Sequence, residues 1–424
     1  MKIRFPLKYT VSTNLFLLLS GVVLMLVGVM LLLQKPPIEI TPTLTGKPER
    51  CLNCHTGIEP ISLSHSTEKF GCVSCHSGVA MALDAETAHT GMVRNPAALN
   101  VAQKYCGDCH AAQVYLVQHS IMTTYSGAVG LVQRAFGAQS DGTALYAIHE
   151  IDNLKTFVPA VTDPQPVKDF AANCLNCHTD GPAQQTDYFR RSTGCASCHV
   201  LYDESGLYQG SDPTIPKNVS GYPQKHQFTT SIPYTQCNHC HNRGNYDLRS
   251  MTFTVRPDIP STEPLSGQAK RLHDYYQPIG EFTRCEWELD CIDCHTSLEI
   301  MGDGILHNNR SDAQYVQCST CHGTLDTPPL EQVVQFPNEL AMTRADLNSF
   351  VDLQVGDTIL KTDRGEPLYN IRKVDDQWQF TSKVDGTSYI LPLVTGSKCL
   401  QKPDEQASSY CHQCHTADRK APTP

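Results

Sequence analysis

Apolar and polar positions divide the chain into one long uncharged run, a body of weak periodicity, and two stretches where a period returns. Leu15–Leu33 reads LFLLLSGVVLMLVGVMLLL, without a charge. At about 1.5 Å per residue this run covers roughly 28 Å, close to the hydrocarbon thickness of a bilayer. Lys2, Arg4 and Lys8 precede it, and Gln34, Lys35, Pro36 and Pro37 follow it with no small-residue cleavage site. The pattern predicts an uncleaved transmembrane helix and not a signal peptide, with the N-terminus in the cytoplasm and the rest on the periplasmic side. Farther on, VYLVQHSIMTTYSGAVGLVQRAFG within residues 111–173 has apolar positions at helical spacing and predicts a helix. Residues 355–394 alternate through Ile359, Leu368, Ile371, Trp378, Phe380 and Tyr389, with turns at Gly365 and Gly386. That alternation predicts a small antiparallel β insert. Elsewhere the chain, with 27 Gly and 27 Pro, reads as mostly irregular and α.

The cysteines change this picture. Of 20, all but Cys285 and Cys399 fall into nine copies of Cys-x-x-Cys-His. The pairs are Cys51 with Cys54, Cys72 with Cys75, Cys106 with Cys109, Cys174 with Cys177, Cys195 with Cys198, Cys237 with Cys240, Cys291 with Cys294, Cys318 with Cys321, and Cys411 with Cys414. The histidines that follow are His55, His76, His110, His178, His199, His241, His295, His322 and His415. Paired thiols alone also suit zinc or redox dithiols, but neither asks for an adjacent His at every copy. In this motif the thiols can form thioethers to haem vinyl groups, and the imidazole can take the iron as proximal ligand.

On these motifs, over roughly residues 50–424, the chain resembles the multihaem c-type cytochromes. The resemblance implies nine haem c groups, an architecture in which they form much of the core, and assembly outside the cytoplasm. An oxidising compartment would favour a disulfide between Cys285 and Cys399 over two free thiols.

The motifs also repeat as text. CLNCHT at 51 and GCVSCH at 71 return as CLNCHT at 174 and GCASCH at 194; CIDCHT at 291 with CSTCHG at 318 is a looser copy. A single motif follows each pair. This predicts three tandem tri-haem modules at 51–160, 161–280 and 281–424, the third carrying the β insert at about 340–398. Residues 1–34 would be the cytoplasmic end and anchor, and 35–50 a tether.

Nine other histidines remain as candidate distal iron ligands: His65, His89, His119, His149, His226, His239, His273, His307 and His412. Nine for nine irons is what an all-bis-His chain needs, and such irons pass electrons without an open position. The second module has Tyr188 where the others have His65 and His307, so His149 is the candidate to serve there. The expected function is electron transfer from a membrane donor, such as a quinol-oxidising complex of a respiratory chain, to an extracytoplasmic redox partner. The alternative is an oxidoreductase similar to the nitrite or hydroxylamine type, with one open iron; no Cys-x-x-Cys-Lys variant occurs to mark it. A net charge of −10 argues against a nucleic-acid partner.

Overall fold

The computed structural model describes residues 13–33, 36–141, 143–175, 178–181, 184–185, 190–203, 205–237, 239–241, 245–247, 252–254, 288–307 and 310–415. Helix α1, Thr13–Leu33, forms on the apolar run. Its side chains are described only between positions 15 and 29. Among the described residues no helix is long and apolar enough to cross a membrane. The single-pass anchor, and the membrane localisation and orientation that depended on it, are corrected accordingly.

The helix expected between residues 111 and 173 is several helices. Helices α2 (Leu99–Tyr105), α3 (Gly107–His119), α4 (Ile121–Thr124), α5 (Ser126–Ala135) and α6 (Gln165–Asn173) follow one another. Two residues make the breaks. Ser120 turns extended, and its Oγ accepts the Thr123 N–H at 3.2 Å as the N-cap of α4. Tyr125 takes φ 56°, a left-handed conformation that ends α4. Val129 of α5 and Val167 and Phe170 of α6 close over Phe157 as one buried cluster. Ser120→Ala should lower stability by about 1 kcal/mol, the usual worth of such a cap, read as a drop in thermal midpoint.

The largest element is a five-stranded antiparallel meander of β1 (Glu331–Val333), β2 (Thr358–Lys361), β3 (Pro367–Val374), β4 (Gln377–Thr381) and β5 (Ser388–Leu391), neighbours in that order. Asp375 and Asp376, both at positive φ, form the two-residue turn between β3 and β4. Leu360, Leu368, Ile371, Trp378 and Phe380 make one buried cluster, against which Leu289 and Cys321 pack. Ile359 joins Val334, Leu353 and the Ala341 and Ala345 of helix α7 (Leu340–Asp346) in a second cluster.

The expected fold class is therefore corrected. The chain is not a mostly irregular and α body with a small insert at 355–394. It holds a complete sheet beginning at Glu331, with cores of its own. Nor are the first two modules laid end to end. Residues 200–228 fold back over 55–65: Phe228 N–H donates to Ile61 O at 2.8 Å, and Ser211 N–H to Glu59 Oε1 at 2.6 Å. Text repeats measure spacing along the chain, and tertiary contacts here join segments far apart in it.

Candidate functional site

Each Cys-x-x-Cys-His whose bond is described closes on a single helical turn. The His N–H donates to the carbonyl of the first Cys in motifs one, two, three, five, six, seven and nine, at 2.8–3.1 Å. Positions i, i+3 and i+4 of such a turn share one face, so two thiols and an imidazole are presented together. That is the donor set covalent haem attachment needs, and seven repeats of the same bond make the fit a property of the fold.

The two thiols of a motif are not equally sheltered. The first Cys is half-buried in every motif. Of the second, Cys54, Cys109, Cys294 and Cys414 are exposed, and Cys75, Cys198, Cys240 and Cys321 are only half-buried. The physical reason is the turn itself. Three residues on, the second Cys is carried about 300° round a helix at 3.6 residues per turn, so a turn lying on the surface puts it at the rim. Cys54, Cys109, Cys294 and Cys414 therefore lie at an exposed edge of their motifs.

The second fit lies in the imidazoles. The Nδ1–H of His76 donates to Val93 O (2.8 Å), that of His199 to Thr229 O (2.8 Å) and that of His322 to Pro392 O (2.7 Å). Among the other histidines, His119 donates to Tyr115 O (2.8 Å) and His226 to Glu59 O (2.8 Å). A carbonyl can only accept, so in each of these rings Nδ1 carries the proton. In the neutral ring Nε2 then keeps the lone pair that an iron requires. Burial holds His76 and His199 below the usual histidine range, and burial, with His110 and Lys69 nearby, does the same for His65. Burial, then the charge of Arg191 and of His149, brings His178 down to about 4. These rings are neutral, hence competent ligands.

The third observation is pairing. His55 faces His89 with ring centroids 6.0 Å apart, His110 faces His65 at 5.9 Å, and His76 faces His226 at 5.9 Å. Three motif histidines thus each meet one of the spare histidines, with no hydrogen bond joining the two rings. His149 lies near enough to His178 to act on it electrostatically, which places it beside the fourth motif. Buried nitrogens without a hydrogen-bond partner include Nδ1 of His149, Nδ1 of His178 and Nε2 of His119, the last 3.5 Å from Asp152 Oδ2. His307 behaves differently: its Nε2 lies 3.0 Å from both carboxylate oxygens of Asp303, which leaves Nδ1 as the nitrogen that could face an iron. His239 and His241 are described, as is His415; the side chain of His412, Cys177, Tyr188 and His273 lie outside the described residues, as does Cys285 of the expected disulfide.

The motifs also touch in succession. The thiols of Cys51 and Cys72 lie within 4.8 Å of each other, and those of Cys237 and Cys291 and of Cys318 and Cys411 are close enough to act on each other. Cys195 N–H donates to Ala97 O (3.0 Å), just before α2 and the third motif. Gln236 Nε2 donates to Ser197 O (2.8 Å), joining motifs five and six. Tyr234 N–H donates to Asp290 Oδ1 (2.7 Å), joining six and seven. Tyr315 and Val316 N–H both donate to Glu299 Oε1 (2.6 Å), tying the segment before motif eight to the helix after motif seven. Cys318 N–H donates to Ser408 Oγ (3.0 Å) at the start of α8 (Ser408–Cys414), joining eight and nine. The fourth motif meets the fifth through Gly194 N–H and Thr179 O (2.8 Å).

Glu49, Cys51 and Cys72 bring one carboxylate oxygen and two thiols within 4.8 Å of one another, the one such cluster among the described residues. It supplies three donors where a structural zinc takes four. Glu49 Oε2 already accepts the Cys72 N–H at 2.7 Å. The cluster joins two adjacent Cys-x-x-Cys-His motifs through one carboxylate.

Comparison with protein-family models, curated proteins and solved structures returned no match.

Several residues that matter here carry no simple signal in the sequence. Glu299 has one: it stands four after His295 and closes a capping box with Thr296. Burial opposes the charge on His295, and the Glu299 bond outweighs it, raising the group. Asp212 has none, since it reaches His55 from 157 residues away. Lys383, buried, donates its Nζ to Ile292 O (2.7 Å), and its backbone N–H to Asp293 Oδ1 (2.7 Å), fixing the sheet to motif seven. Glu366, also buried, accepts from Ser297 Oγ (3.0 Å), Leu298 N–H (3.3 Å) and Tyr315 O–H, and pairs with Arg344 Nη1 at 2.6 Å.

Proposed function

We propose that this chain is a nonahaem c-type cytochrome that carries electrons between redox partners. The observation that carries the reading is the threefold pairing of a motif histidine with a spare one, at 5.9–6.0 Å between ring centroids. Haem c supplies one-electron chemistry at iron when bound. The chain's own residues do the rest. Both thiols of each motif anchor the group, the motif His holds one axial side, and His89, His226 and His65 hold the other for motifs one, two and three. Backbone carbonyls and carboxylates fix the tautomer of each ring. The contact of one motif with the next supports a relay and not isolated centres.

The test is stoichiometry and spin state. Chain produced in a host that attaches haem c should carry nine haems by pyridine haemochrome, low-spin in both oxidation states, with little or no spectral change under carbon monoxide. Zinc in place of haem would end the reading.

One observation favours a second reading. Asp303 competes for His307 Nε2, and an iron that loses that contest lacks the ligand expected for it. An oxidoreductase with a single open iron fits that geometry. A high-spin fraction of about one in nine, binding carbon monoxide, would select it over the pure carrier.

A further inference from the structure

The second partner of the motif histidines is not the same throughout the chain. His76, His199 and His322 give their Nδ1–H to neutral backbone carbonyls, whereas His55 gives its own to the carboxylate of Asp212, Oδ2 at 2.7 Å. Asp212 is fully buried. Its other oxygen accepts the Thr214 N–H and the Thr214 O–H, each at 2.8 Å. Thr214 Oγ1 also lies 3.1 Å from His55 Nδ1. The backbone N–H of Asp212 donates to Tyr208 Oη at 3.3 Å, and the Tyr208 O–H is itself committed to Glu59 Oε2 at 2.8 Å. The carboxylate is thus locked in one orientation, on a segment that reaches the first motif from the middle of the chain.

We propose that Asp212 is a positioning residue that holds the iron served by His55 at a lower reduction potential than the carbonyl-backed irons. A buried negative charge on Nδ1–H makes the imidazole a stronger donor and favours ferric over ferrous iron. The exchange is one electron with a neighbouring centre, and the proton stays on Nδ1. Glu299 repeats the arrangement at His295, Oε2 at 3.1 Å from Nδ1. Because Glu299 also holds three backbone N–H groups, it is the poorer position to test.

This inference rests on the nonahaem reading, and the experiment separates the two. Asp212→Asn, purified with its haems, is compared with the parent by haem count and by spectroelectrochemical titration. The expected result is nine haems in both, eight components unmoved, and one raised so that its reduced-to-oxidised ratio at fixed potential grows about tenfold, which is about 59 mV for one electron. Asp212→Glu, which keeps the charge, should restore the low component. Nine haems with no component moved would overturn the proposal. So would loss of one haem from Asp212→Asn, because Asp212 would then retain the group instead of tuning it. Absence of haem from the parent would instead defeat the nonahaem reading itself.

Discussion

His226→Ala is expected to open one iron in nine. On the nonahaem reading the variant keeps all nine haems, because His226 contributes no thioether. The haem of the second motif loses its far axial ligand, and about one ninth of the total becomes high-spin when reduced and binds carbon monoxide. The side chain is held for this role: its Nδ1–H donates to Glu59 O at 2.8 Å, and its ring faces that of His76 at 5.9 Å. Ordinary ring packing would predict otherwise. Two imidazoles in simple contact would lose some packing on truncation and leave the spectrum unchanged. Carbon monoxide difference spectra on the variant and parent decide between them, and an unchanged spectrum with nine haems present would count against the assigned pair.

The second large effect is mechanical. Glu366 lies in the connection from β2 to β3, and its partners Ser297, Leu298 and Tyr315 belong to the segments around motifs seven and eight. Arg344 of α7 neutralises it at 2.6 Å. Glu366→Ala strands that guanidinium and three donors in a buried place, and a buried pair broken on one side typically costs about 3–5 kcal/mol. Denaturant unfolding of the variant should show that loss. The acid behaviour follows from the same contacts. Burial would raise the carboxyl, but Thr296, Tyr315 and Arg344 together hold it below its ordinary 4.5. A group depressed in the folded state stabilises above its unfolded value, and that contribution fades as the pH falls through the lower, folded one. The parent should therefore lose stability below about pH 4.5 more steeply than Glu366→Ala does.

What could be read without coordinates was what is local. Cys-x-x-Cys-His is closed within five residues, so its turn and its donor set follow from spacing. Which of its thiols reaches the surface does not, because that depends on what packs over each turn; Cys54 and Cys75 occupy the same place in the text and differ in exposure. Alternation through Ile371, Trp378 and Phe380 marks strands directly. The edge strand Glu331–Val333 is too short and too polar to alternate visibly, so the sheet read as an insert. A periodic run cannot show that Ser120 and Tyr125 interrupt it, because both breaks depend on backbone conformation. The far partners were out of reach for another reason. Asp212 and His226 come to the first two motifs through a fold-back that no spacing records, and the count of spare histidines could not show that Asp303 binds His307 Nε2.

That fold-back sets an order in time. A chain made from its N-terminus presents motifs one and two well before Asp212 and His226 exist. At roughly 5–20 residues per second, the roughly 150 residues between His76 and His226 take on the order of 10 to 30 seconds to make. On the nonahaem reading, the first two centres would have only their local ligands during that interval. Their final surroundings arrive with the middle of the chain, so a fragment ending near residue 160 would preserve an assembly intermediate and not a free-standing unit.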